Sequence, residues 1–235
     1  MFYVEIRAYA PTASFRIPEY HTYQQTLPLP PMTTLTGILG AAAGFDFQQA
    51  MTYKKENELY VGVWGYHTGQ YKDLWKYQKI KDKEVVSAVL TREYIYDLKL
   101  NIYFFCYKKD VIKNIKNWFS NPRYALTAGS SDDLLKIKYI SEIRQKELCP
   151  IRNFSNTIIP GNHSKNYKSD IKIEEMPLMR DVYLPQVYLL PSDFTFTGSE
   201  RRTKERKPYT FVDTPIRLEK PLEGLIIDNR EIALL

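Results

Sequence analysis

The chain has 235 residues, 44% of them hydrophobic, and carries 33 Lys and Arg against 27 Asp and Glu, a formal charge of +6. That composition excludes a disordered or low-complexity chain, and the length suits one large or two small domains at roughly 100–200 residues each. The 19 Tyr, 11 Phe and 3 Trp together equal the Lys and Arg in number. The longest nearly apolar stretch, residues 35–45, falls well short of the about 20 residues that a membrane-spanning helix needs. The N-terminus mixes acid and base within an alternating apolar pattern, unlike a secretion leader, so no membrane contact and a cytoplasmic location are expected. Cys106 and Cys149 are too widely spaced for a short metal-ligand motif and are expected as buried thiols.

In chain order, Phe2, Val4, Ile6 and Ala8 alternate with polar or amphipathic residues, which predicts a strand over 2–9. Pro28, Pro30 and Pro31 delay regular structure until Met32, after which Thr33 or Thr34 is expected to cap a helix through Leu35, Ile38, Leu39 and Ala42. Residues 59–66 and 102–107 alternate as second and third strands, joined by a long basic segment over 68–95 that suits a projecting hairpin. Asp110 is expected to cap a second helix bearing Val111, Ile112, Ile115 and Trp118 or Phe119, ended by Asn121-Pro122. A loop around Gly129 leads to a fourth strand over 135–143. This order predicts an α+β fold, a ferredoxin-like (RRM-like) βαββαβ domain over residues 1–146 with both helices on one sheet face. Recurrent prolines and the β-prone runs 187–190, 194–197 and 209–212 predict a smaller β-rich region over 147–235, with a polar loop at 160–170.

The charge is uneven. Residues 72–123 hold twelve Lys and Arg against six Asp and Glu, the whole net excess, and Arg201, Arg202, Lys204, Arg206 and Lys207 form a second cluster. Such segments on a balanced background suggest a polyanion partner. Phosphate-loop, dinucleotide and zinc signatures are absent, so no cofactor or metal is implied. His67 and His163 read as a strand and a loop histidine. His21 stands nearer to possible chemistry, because Arg16, Tyr20 and His21 precede a helix whose first turn, with Thr33, Thr34 and Thr36, exposes N–H groups suited to phosphate. Alternatively the prolines only fix a turn and the threonines only cap. Over 71–83, Lys72, Lys76 and Lys79 are interleaved with Tyr71, Trp75 and Tyr77, as in proteins that stack single-stranded bases while tracking the backbone; a solvated hairpin with rings turned inward is the other reading.

The run Phe15-Arg16, then Thr26-Leu27-Pro28-Leu29-Pro30-Pro31-Met32-Thr33-Thr34-Leu35-Thr36-Gly37-Ile38-Leu39-Gly40, resembles the N-terminal signature of the CRISPR-associated Cas-five family, a RAMP-type subunit of the type I surveillance complex called Cascade. Val89-Leu90-Thr91-Arg92-Glu93-Tyr94 and Ala128-Gly129-Ser130-Ser131-Asp132-Asp133-Leu134 resemble later blocks of the same family. The resemblance implies a hairpin thumb, capping of the 5′ handle of a CRISPR RNA, contacts to backbone and large subunits, and a place near target DNA at the protospacer-adjacent motif. The implied RNA-binding set is Arg16, Tyr20, His21, Thr33, Thr34, Thr36, Lys72, Trp75, Lys76, Lys79, Arg92, Gly129, Ser130 and Ser131, to which the charge pattern adds Arg201 and Arg202. One branch, in type I-C systems, cuts repeat RNA without metal. Its adjacent Lys-His is absent, so a non-catalytic, type I-B-like subunit is expected; a ribonuclease using Tyr53 with Lys54, or His21 with Tyr20 and Tyr23, is the alternative, and a free-standing single-strand-binding module a third possibility.

Overall fold

The apolar alternation that opens the chain runs on to residue 13, because Ala10 and Ala13 are buried as well, and it forms β1 (Phe2–Ala13). The computed structural model describes residues 1–20, 23–81, 84–169, 183–198 and 200–235. Three two-residue strands, β2 (Phe15–Arg16), β3 (Tyr23–Gln24) and β4 (Thr26–Leu27), lead to α1 (Met32–Ala43). Pro31 is its N-cap and no side chain caps it. Neither Thr33 nor Thr34 therefore caps, contrary to expectation: the helix starts directly after the last proline, which places both threonines inside the first turn.

A helix that the apolar spacing does not mark follows, α2 (Phe47–Glu56), with only Ala50 buried. Its start is set by a capping box, Gln49 N–H donating to Asp46 at 2.8 Å while Asp46 N–H donates to Gln49 Oε1 at 2.9 Å. Next come β5 (Tyr60–Tyr66), β6 (Gly69–Lys81), β7 (Glu84–Cys106), α3 (Lys109–Ser120), β8 (Lys136–Ile140) and β9 (Arg144–Gln145). Lys108, not Asp110, is the N-cap of α3; the Asp110 carboxylate lies in the first turn, where it complements the helix dipole. The expected fourth strand divides into β8 and β9, since Ser141 between them turns both its N–H and its hydroxyl to the Glu5 backbone.

The C-terminal residues form β10 (Cys149–Phe154), β11 (Thr157–Pro160), β12 (Tyr167–Ser169), β13 (Gln186–Thr197), β14 (Glu200–Val212), β15 (Ile216–Ile227) and β16 (Arg230–Ala233). Strand β12 falls inside the segment expected to be loop. Cys106 is buried and Cys149 half-buried, both as free thiols.

The central strands stand in the order β5-β7-β1-β8, antiparallel throughout. One sheet face packs Val4, Ile6, Val61, Val63, Ile102 and Phe104 against Leu35 and Leu39 of α1 and Ile112, Ile115 and Phe119 of α3. The other face is covered over only part of its length: Tyr3, Tyr103 and Phe105 meet Leu225, Ile227 and Ile232 of β15 and β16. Gly62 permits that approach, since a Cβ there would stand 2.5 Å from Ile232 Cγ2. Beyond β5, strands β11, β14 and β13 continue the same sheet. Among the described residues the chain is thus α+β, with three helices and mostly antiparallel strands, and no helix is long and apolar enough to cross a membrane.

Candidate nucleic-acid interface

A groove of about 560 Å³ opens where the N-terminus of α1 meets the β13–β14 hairpin. Thr33, Thr34 and Gly37 form one wall, Arg201, Thr203 and Arg206 another, with Arg16 and Gly129 at the ends. The first N–H groups of α1 lack intrahelical partners, no acid sits in its first turn and no side chain caps it, so the positive end of the helix dipole faces the groove uncompensated. Thr36 takes no part: it is fully buried and its hydroxyl donates to the Met32 carbonyl at 2.9 Å.

The three arginines differ in their surroundings. Arg201 lies over the rings of Phe47, at 4.7 Å, and Phe194, at 5.2 Å, which orients its guanidinium without neutralising it. Arg206 is ion-paired with Glu19 and donates to the Leu189 carbonyl at 3.3 Å. Among the described residues, Arg16 and Arg201 have no carboxylate partner. Arg202, next along the strand, projects to the other side and pairs with Glu200 at 3.0 Å. Sequence reasoning named Arg206 only as a member of the basic cluster and missed Phe47 and Phe194; no spacing rule brings residues 190–206 to a helix at 32–43.

Gly129 has φ +102°, and a Cβ on it would stand 2.0 Å from the Ser14 carbonyl oxygen. Only glycine lets this loop lie against the chain that leads to Arg16. Ser130 accepts from Asp133 N–H at 3.2 Å through its carbonyl, and Ser131 is exposed beside it. Asp133 is buried, and burial raises its carboxyl pKa, against a hydrogen bond from Thr12.

The hairpin of β6 and β7 is the projecting arm, paired in register from Gly69↔Tyr96 to Lys81↔Glu84. Because strand side chains alternate, Tyr71, Trp75, Tyr77 and Lys79 share one face while Lys72, Leu74, Lys76 and Ile80 share the other. Of the interleaved lysines, Lys72 and Lys76 thus leave the ring-bearing face and Lys79 stays on it. Trp75 carries Arg92 over its ring at 4.0 Å, and Arg92 also donates to Gln24 Oε1 at 3.0 Å. Lys72 stands 5.3 Å from the Tyr23 ring centroid, where that phenol raises its pKa. Strand β3 pairs in parallel with β7 at Thr91 and Arg92, tying the arm's base to the segment that carries Arg16. Tyr20 is exposed at 42% on that segment; His21 lies outside the described residues.

Of the candidates for ribonuclease chemistry, Tyr53 and Lys54 stand together outside the groove, and the set built on His21 has its central residue outside the described residues. Tyr53 packs edge-on against Trp118 at 5.3 Å, and Lys54, its amine pushed down to about 8 by burial and secondarily by Lys207, is on the same helix but outside the groove. Among the described residues no three His, Cys, Asp or Glu side chains are grouped to hold a metal.

No curated protein matches the sequence significantly. Among solved structures, a "CRISPR RNA-guided surveillance complex" chain is 14% identical with a TM-score of 0.54, over 92% of this chain and 90% of the other. A "CRISPR protein from Archaeoglobus fulgidus" is 10% identical with a TM-score of 0.57, over the full length of both. A chain described as "Cas protein" is 20% identical with a TM-score of 0.36, and this chain spans 57% of its length. The family described as CRISPR-associated protein (Cas_Cas5) matches residues 3–178. Three quarters of the sequence thus fits one family description, and the chain belongs to the CRISPR-associated Cas_Cas5 family.

Proposed function

We propose that this chain is a non-catalytic RNA-binding and assembly subunit of a Cascade-type complex, holding the 5′ handle of a CRISPR RNA in the groove between α1 and the β13–β14 hairpin. The observation that carries the proposal is the convergence of Arg16, Arg201 and Arg206 with the uncapped first turn of α1. Phosphate is the ligand for which helix N–H groups and guanidinium forks share an affinity. The arm offers Trp75, Tyr77 and Lys79 to bases and backbone beyond the groove.

The strand order β5-β7-β1-β8 with helices on one face supports a ferredoxin-like module carrying a thumb. Membership of the family supports backbone and large subunits as neighbours, target DNA near the protospacer-adjacent motif and a cytoplasmic setting; the type I-B-like assignment rests on the absent Lys-His pair alone. The position of Tyr53 and Lys54 outside the groove favours binding over cleavage. Two arms test the proposal. Repeat RNA incubated with the protein in chelator should remain intact, and handle RNA should bind more tightly than a scrambled strand, with affinity lost in Arg201→Ala/Arg206→Ala. A single specific cut, or equal affinity for handle and scramble, overturns it.

A further inference from the structure

The helix-free face of the central sheet is only half covered, and its open half has a regular composition. Register pairs Tyr66 with Lys99, Lys99 with Tyr9 and Tyr9 with Lys136, a row of ring, cation, ring, cation across four strands. The next row runs Trp64, Asn101, Arg7, Tyr139. At the third row β16 closes over Gly62 and Tyr103. Four strands at about 4.8 Å spacing make each row about 14 Å long.

Each ring of this surface has a cation against it: Lys99 stands 5.2 Å from Tyr66, Arg7 5.0 Å from Tyr139, Lys138 5.2 Å from Tyr9 and Arg230 3.7 Å from Trp64. The acids among them are paired. Glu5 is buried beneath Arg7 and accepts from its Nε and one Nη, each at 3.0 Å, Asp97 accepts from Thr68 at 2.6 Å and from Lys99 at 3.4 Å, and Asp228 lies 3.5 Å from Arg7 and 3.8 Å from Arg144, so Lys136 and Lys138 are left without a carboxylate partner among the described residues. Tyr66 and Tyr139 remain about two-fifths exposed, at the two edges of the platform.

We propose that this half-face is a second nucleic-acid surface, a platform on which unpaired RNA stacks, separate from the groove and on the opposite side of the sheet. The rings supply stacking planes and the lysines charge for phosphates, and the combination suits single strands because a duplex keeps its base faces covered. RNA is favoured over DNA because the phenol hydroxyls of the exposed Tyr66 and Tyr139 can both donate to and accept from a 2′-hydroxyl, which DNA lacks. An acidic protein surface would also engage rings and lysines, and it is the outcome that the oligouridine measurement separates from RNA.

The test uses the full chain with labelled oligouridine, and oligodeoxythymidine as the DNA arm. Tyr66→Leu/Tyr139→Leu removes stacking, and Lys99→Glu/Lys138→Glu reverses charge; each is made in the wild type and in the groove variant Arg201→Ala/Arg206→Ala. In the groove variant, residual oligouridine binding should persist and fall about tenfold or more with either platform pair, at unchanged melting temperature. Residual binding indifferent to both platform pairs overturns the platform while leaving the groove untouched. Equal affinity for oligodeoxythymidine overturns the RNA assignment, and loss of a co-purifying acidic protein without loss of oligouridine assigns the face to protein instead.

Discussion

The guanidinium of Arg201 lies over the ring of Phe47, 4.7 Å from its centroid. Phe47 begins α2 and also meets Phe194 edge-on at 5.3 Å, so one ring fastens the C-terminal hairpin beside the N-terminus of α1. Phe47→Ala should therefore weaken handle RNA binding without removing any cation, because Arg201 loses its orientation. The salt dependence should stay close to wild type, whereas Arg201→Ala should flatten the log–log slope by about 0.7 for the phosphate contact it removes. Titration at several ionic strengths distinguishes them; identical slopes for the two variants would contradict this division of roles.

On the arm, the separation of faces gives single substitutions different outcomes. Replacing Lys72, Lys76 and Lys79 together by Ala should weaken RNA capture and flatten its salt slope. Most of that effect should come from Lys79, on the face of Trp75 and Tyr77, and little from Lys76, on the face of Leu74 and Ile80. Equal slopes for the two single variants would remove the ring-bearing face from the RNA site.

Trp118 sits edge-on to Phe45 and Tyr53, each with centroids 5.3 Å away, and does not line the groove. Trp118→Ala should lower stability by about 2–3 kcal/mol, less than a fully buried tryptophan would, and leave RNA affinity unchanged. Denaturant unfolding together with RNA titration checks both halves.

Lys54 has its pKa lowered from 10.5 to about 8, first by burial and then by Lys207. Its protonation is thus disfavoured in the folded state, a cost present in full below about pH 8 and relieved as the pH rises towards 10.5, where the folded protein has released the proton and the unfolded chain still holds it. Lys54→Met should be the more stable protein at pH 7, by about 1–3 kcal/mol, with the difference shrinking at pH 9 to 10. Parallel stability profiles for the two proteins would contradict it.

The strands of the central sheet and α3 are legible in the sequence because each buries one face with its own period, Val4 and Ile6 at two, Val111, Ile112 and Ile115 at helical spacing; the arm, exposed on both faces, is legible only from its place as the link between the second and third strands. Helix α2 was missed because it buries only Ala50, leaving the Asp46 and Gln49 capping box as its sole local signal. The β-prone runs 194–197 and 209–212 are extended as expected without naming their partners, and the pairing of β14 with β11 and β13 decides that Arg201 and Arg206 arrive at the α1 terminus. Half of the groove was therefore readable, Arg16 to Thr34 and Gly129, and the other half is a consequence of long-range pairing. Thr36 shows the limit on the readable side, since helical phase turns its hydroxyl inward to Met32.

The central claim is that RNA lies between α1 and the C-terminal hairpin. It is tested most directly by photocrosslinking a handle RNA that carries 4-thiouridine at successive positions and identifying the modified peptides by mass spectrometry. Adducts are expected within 31–38 and 190–206 from the same strand, with further positions reaching the arm at 75–79. Adducts absent from both groove walls, in a complex that retains handle affinity, would contradict it.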